Sequence, residues 1–304
     1  MRITIATKSQ LNKELIPLAF IFKNGEETNK LVCADISEDS KGDLSVEIDD
    51  PSFEFRPYLY KSPYEVQSVR ILIFGVQGSG KSYLAGDLLD QLFENNPKDI
   101  LIIARNNEDA PLDRARINPI NWCEVVDDEK TALAYKQKKL YPRDASHHVP
   151  DVIKTFLHKK KGKYTPIRMD VYSDDVQSCH VESFANSYLV IDDVERMKDK
   201  QTTEWCHSLR DSALEVGRKL HIDTINILHN IRGGSKVSVM RDESNYVFAN
   251  PNASGQHKIR SFLTDYASMD KREIELFLKI KGRFGCIRTE YPRAIIAKNI
   301  VQLL

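Results

Sequence analysis

The chain has 304 residues, with 44 Lys or Arg against 44 Asp or Glu, 41% hydrophobic and 29% charged. That length suits one large domain or two ordinary ones, and the composition excludes collagen-like, low-complexity and wholly disordered chains. Zero net charge hides an asymmetry: residues 35–54 carry eight acids against Lys41 alone, whereas residues 136–168 carry ten Lys or Arg against Asp144 and Asp151. The first segment repels a polyanion and the second attracts it.

The opening MRITIATKSQ has no sustained apolar stretch and no small-residue cleavage signal, so the chain is expected not to be secreted. Apolar runs such as residues 71–76 fall far short of the roughly 18 residues that span a bilayer. The first 66 residues read as short strands at 2–6, 15–22, 31–36 and 44–48, with Asn24-Gly25 and Lys41-Gly42 as turns. They form a small β-rich N-terminal domain. Pro51, Pro57 and Pro63 then mark an extended passage, because a residue before proline avoids the helical region.

From Val69 the pattern changes to strands alternating with amphipathic helices, as in a parallel α/β sheet. A buried strand at 69–74, a glycine-rich turn, a helix at 82–93 and a strand at 100–104 follow in order. Residues 105–187 are too long for a simple crossover and read as an insertion. A buried strand at 188–191 ends in two aspartates, and a helix at 202–220 places Trp205, Leu209, Ala213, Val216 and Leu220 on one face. A strand at 222–228, a helix at 270–281 opened by an Asp270/Glu273 capping box, and strands at 286–289 and 294–297 complete the chain. The five cysteines, at 33, 123, 179, 206 and 286, form no CxxC and are expected to be reduced and packed. Cys206 and His207 point about 100° apart on a helix, which argues against a shared metal.

Gly75-Val76-Gln77-Gly78-Ser79-Gly80-Lys81-Ser82 fits GxxxxGK[ST], the Walker A pattern, between a strand and a helix. Glycines let successive N–H groups turn inward around phosphates, and the helix N-terminus adds partial positive charge. Lys81 is expected to reach the β and γ phosphates of ATP, and the Ser82 hydroxyl to ligate Mg2+. Tyr83, the next residue, completes the candidate nucleotide contacts. Asp192 and Asp193 end an apolar strand, as a Walker B pair does: Asp192 for the Mg2+ shell through water, Asp193 for the attacking water. The fold class expected is α/β, a P-loop NTPase with a central, mostly parallel sheet flanked by helices, spanning residues 67–304. No NKxD or LSGGQ-like element is present, whereas the cluster at 109–116 could mimic the Arg-rich lid of a small-molecule kinase.

The segment from Gly217 to His229, a basic helix end followed by a buried strand with a polar terminus, resembles that of genome-packaging ATPases of large DNA viruses, the poxvirus-type branch of the FtsK-HerA superfamily. The stretches 259–266, 269–273 and 282–284 resemble the C-terminal region of the same family. Two departures stand out: the basic pair is Arg218-Lys219 where the family has Arg-His, and the sensor position holds His229, followed by Asn230, where it has Gln. The resemblance implies a Mg2+-dependent ATPase that forms a homo-oligomeric ring and moves double-stranded DNA into a capsid. Under it His229 senses the γ-phosphate and Arg218 completes a neighbour's site. Without it, His229 is a strand-end histidine facing a carbonyl and Arg218 a helix-end charge. The basic stretch, with Tyr141 and Tyr164 interleaved, is a candidate DNA contact. A viral capsid or membrane component is a further partner, and the host cytoplasm, virus factory or virion the expected location. The competing readings are a phosphotransferase acting on a nucleotide or small molecule, and a nucleotide-gated assembly protein.

Overall fold

The computed structural model describes residues 1–37, 41–59, 68–96, 98–105, 109, 112, 167–197, 199–229, 235–251, 256–265, 267–280 and 282–304. Cys123, Asn230 and all of the basic stretch before residue 167 lie outside them. In chain order the elements are β1 (Arg2–Thr7), β2 (Leu15–Lys23), β3 (Glu26–Asp35), β4 (Ser45–Glu47), β5 (Phe53–Pro57), β6 (Arg70–Phe74), α1 (Lys81–Asn95) and β7 (Asp99–Ala104). After these come β8 (Ile167–Arg168), α2 (Asp174–Gln177), β9 (Ser187–Asp192), α3 (Lys200–Leu220), β10 (Asp223–Leu228) and α4 (Ser235–Glu243). The last are β11 (Tyr246–Ala249), α5 (Gln256–Asp265), α6 (Lys271–Lys279), β12 (Gly285–Arg288), β13 (Ala294–Ala297) and β14 (Ile300–Leu303). Two compact units divide the chain: Met1–Gly80 with His229–Leu304, and Lys81–Leu228.

In the first unit, β1, β3, β2 and β5 form an antiparallel sheet in that order. Asn24 and Gly25 both hold positive φ, at 52° and 83°, the geometry that joins β2 to β3 without splaying them. Phe20, Leu31, Cys33, Ala6 and Tyr58 pack as its core, and Arg2 pairs with Asp35 at 3.0 Å. A second set of strands runs in the order β4, β14, β13, β12, β11, β6. Only β11 and β6 pair in parallel there; the rest are antiparallel. So β4, although it belongs to the first 66 residues, pairs with the last strand of the chain.

In the second unit, β10, β9, β7 and β8 are all parallel, with β9 between β10 and β7. Ser187 to Ile191 are buried, the continuous apolar run that a strand covered on both faces requires. Leu209, Ala213 and Cys206 of α3 pack with Leu189, Ile191 and Ile222, which is why its apolar positions recur at helical spacing. Asp199 caps α3, accepting from the Thr202 N–H at 2.6 Å, and His221 ends it in the left-handed region. On the opposite side of β9 the Tyr188 hydroxyl donates to the carbonyls of Leu92 and Asn96, tying down the end of α1.

The architecture is thus α/β with mixed strand directions, parallel in β10-β9-β7-β8 and at β6/β11 and antiparallel beyond. The Asp270/Glu273 box is present, with Asp270 accepting from the Glu273 N–H at 2.8 Å. Strands β5, β8, β11 and β14 are additions to the sequence expectation, since runs of two to five residues have no period that separates strand from helix. Cys33, Cys179, Cys206 and Cys286 are buried and unpaired by disulfides. Among the described residues no helix is long and apolar enough to cross a membrane.

Candidate functional site

The loop 75–80 leaves β6, whose residues 71–74 are buried and anchor it. Gly78 and Gly80 hold φ of +76° and +92°, a region that a side chain makes costly. At Gly75 the constraint is steric: an added Cβ would lie 2.8 Å from the Ser79 hydroxyl. The Ser79 N–H donates to the Val76 carbonyl at 3.2 Å, closing the turn. Val76, Gln77 and Gly78 are exposed at its tip, whereas the buried Ser79 hydroxyl has no hydrogen-bond partner among the described residues. A loop with bare glycine backbone and an unsatisfied hydroxyl fits a polyanionic ligand.

Lys81 and Ser82 open α1, where the first N–H groups of a helix lack intrahelical acceptors. Lys81 is buried, with 6% of its surface exposed, Ser82 is half-buried and Tyr83 is exposed. The Ser82 hydroxyl donates to Asp109 Oδ2 at 2.9 Å, and Asp109 Oδ1 accepts from the Leu112 N–H at 3.3 Å. Asp192 ends β9, in register with Ala104 of β7 and Ile227 of β10. Its carboxyl is pushed up to about 7, by burial first and then by the negative charges of Asp109 and Asp193; Lys81 and Arg168 pull it the other way. These groups therefore act on one another electrostatically, and three carboxylates crowd where a cation would relieve them.

Asp193 has φ 54° and ψ 30°, in the left-handed region, and precedes the 3-10 turn Val194–Arg196. Its side chain does not cap that turn, so the ordinary use of an aspartate at a strand-to-helix junction is not made here. Such backbone strain in an L-residue persists where surrounding structure holds it. Arg210, fully buried on α3, reaches Glu195 of the same turn at 3.5 Å and Asp211 at 2.8 Å.

Among the described residues, no group of three or more His, Cys, Asp or Glu is disposed to hold a metal by itself. A nucleotide-borne Mg2+ needs less: it keeps waters and phosphate oxygens and takes one or two protein oxygens. The donor set suits it. Ser82 spends its proton on Asp109 and so turns lone pairs outward, and Asp192 supplies a carboxylate.

His229 directly follows β10 and is half-buried. Arg218 and Lys219 are exposed in the last turn of α3, where cations are favoured by the helix dipole. Asp109 is the residue that sequence reasoning placed elsewhere, in a lid-like cluster. The usable signal was its position five residues beyond β7, the strand next to β9.

No known protein-family profile matches the chain. It is 24% identical over 292 residues to "Uncharacterized protein V3" of Sputnik virophage, which covers 95% of this chain and 96% of that protein. Among solved structures it is similar to the genome packaging NTPase B204 from Sulfolobus turreted icosahedral virus 2 in complex with AMP, at TM-score 0.44 and 12% identity, covering 77% of this chain and 98% of that one. It is also similar to VirB4 of Thermoanaerobacter pseudethanolicus, at TM-score 0.43 and 13% identity over 95% and 96% of the two chains. A viral genome-packaging NTPase, the kind of protein named by the sequence resemblance, is thus among the similar structures.

Proposed function

We propose that this chain is a Mg2+-dependent ATPase that moves double-stranded DNA, as a packaging motor of a virus does, and works as a homo-oligomeric ring. The observation that carries the reading is the Ser82–Asp109 hydrogen bond at the head of the helix that completes GxxxxGKS, together with the Asp192 carboxyl, pushed up by burial and then by its acidic neighbours Asp109 and Asp193. In this reading residues 1–66 are the N-terminal β-rich domain and residues 67–304 the ATPase domain.

Backbone N–H groups of residues 75–82 and the Lys81 ammonium bind and neutralise the nucleotide phosphates. Ser82 and Asp192 hold Mg2+, which supplies further charge neutralisation when bound. Asp193 orients the water that attacks the γ-phosphate and takes its proton. His229 senses the γ-phosphate, and Arg218 serves the nucleotide of an adjacent subunit.

The test is the ATPase rate with and without duplex DNA at two salt concentrations. Backbone contacts release condensed counterions, so stimulation should fall steeply with salt, and replacing Lys159, Lys160 and Lys161 by Ala should flatten that fall. A phosphorylated small-molecule product would identify a phosphotransferase instead. Binding without turnover would identify a nucleotide-gated assembly protein.

A further inference from the structure

We propose that Arg283 is a second cation for the nucleotide phosphates, supplied by the same chain that carries the loop. The proposal rests on the nucleotide reading of Gly75 to Ser82. Strand register brings it there. Phe74, the last residue of β6, pairs with Ala249, the last of β11, and Ala249 pairs with Gly285, the first of β12. The chain that leaves β6 into the loop and the chain that enters β12 through Gly282-Arg283-Phe284 therefore meet at one end of three neighbouring strands.

Two close approaches agree with that register. A Cβ on Gly75 would lie 3.9 Å from the Cβ of Asn250, the residue after β11. A Cβ on Gly80 would lie 3.6 Å from Arg283 Nη1, so the guanidinium sits at van der Waals distance from the glycine that precedes Lys81.

The turn that presents Arg283 is held in place. Gly282 has φ +129°, and Gly285 has no room for a side chain, since its Cβ would meet Ile280 Cδ1 at 2.2 Å and Phe277 Cε2 at 2.8 Å. Phe277 itself is fully buried. By contrast Arg283 is exposed and takes part in no ion pair among the described residues, whereas Arg70 and Arg260 of the same unit pair with Glu243 and Glu275. An exposed, unpaired arginine beside a glycine loop matches an anion, and its planar fork of N–H donors suits phosphate oxygens in particular. The ligand class is a nucleoside di- or triphosphate.

The experiment compares the full chain with Arg283→Ala, Arg283→Lys and Lys81→Ala, measuring ATP and ADP affinity together with the melting temperature of the nucleotide-free protein. Arg283→Ala is expected to melt as the wild type does and to weaken ATP and ADP by about tenfold or more, the worth of a charge-assisted hydrogen bond. Arg283→Lys should recover part of that loss, because it restores the charge without the fork. Wild-type affinity in Arg283→Ala alongside failure of Lys81→Ala would overturn the proposal and leave the nucleotide reading standing. A lowered melting temperature in Arg283→Ala that Arg283→Lys does not restore would also overturn it, as a structural role. Absence of ATP and ADP binding by the wild type would remove the nucleotide reading itself.

Discussion

The hydroxyl of Ser82 donates to the carboxylate of Asp109, which lies 27 residues further along the chain. A serine that gives its proton to a carboxylate keeps its lone pairs for a cation, so Asp109 sets the orientation in which Ser82 can ligate. Asp109→Ala should therefore lower Mg2+ affinity in the ATPase assay by about 10- to 100-fold. ATP binding measured in chelator should change little. An unaltered Mg2+ half-saturation would exclude this role.

In the proposed reading Lys81 touches the nucleotide and Asp193 the attacking water, so their variants should differ. Lys81→Ala should lose both nucleotide affinity and turnover, because in that reading the buried ammonium neutralises the phosphates. Asp193→Asn should bind ATP as the wild type does and lose hydrolysis, because it keeps the size but not the proton acceptor. Equilibrium binding and single-turnover rates separate the two; normal turnover by Asp193→Asn would remove it from catalysis.

Asp192 makes stability depend on pH in a direction opposite to an ordinary paired aspartate. With its carboxyl pushed up to about 7 from 3.8, the folded protein holds a proton that the unfolded chain has released across that window. Stability of the metal-free protein therefore falls as pH rises through it. The melting temperature should drop between about pH 5 and about pH 7, and Asp192→Asn, which cannot ionise, should drop less. Equal slopes for the two proteins would count against the crowded carboxylates.

Lys98 and Asp223 form a pair at 2.6 Å in which both side chains are buried, and Lys98 also donates to the His221 carbonyl at 2.7 Å. Removing one partner strands the other charge, so Lys98→Met should cost about 3–5 kcal/mol. Lys98→Met combined with Asp223→Leu should recover much of it, since apolar replacement of a whole buried pair is often close to neutral. Urea denaturation midpoints for the single and double variants provide the comparison, and equal midpoints would show that the stranded charge finds another partner.

Arg218 yields the test of ring assembly. If it acts on a neighbour, Arg218→Ala should bind ATP and lose hydrolysis, and doping it into wild-type protein should reduce activity faster than linear dilution. Mixing Arg218→Ala with Lys81→Ala should recover some activity where an intact Arg218 meets an intact Lys81. Linear dilution without recovery would return Arg218 to a helix-end charge.

Much of the α/β pattern and both halves of the acidic motif are legible in the sequence, because the cues are local. Glycine spacing sets where φ is positive, Lys81 and Ser82 follow in the next turn, and an uninterrupted apolar run marks β9 down to Asp192. The helix over Lys200–Leu220 is equally plain from its single apolar face. Strand order is not local. That β4 joins β14, that β12 to β14 run antiparallel, and that Phe74, Ala249 and Gly285 share one row depend on pairings that local cues do not announce, in β4–β14 and β6–β11 between segments far apart in the chain. Asp109 and Arg283 carry no motif of their own. Only tertiary structure brings a hydroxyl to the first and a loop glycine to the second, because hydrogen-bond and charge contacts are set by where backbones converge and not by distance along the chain.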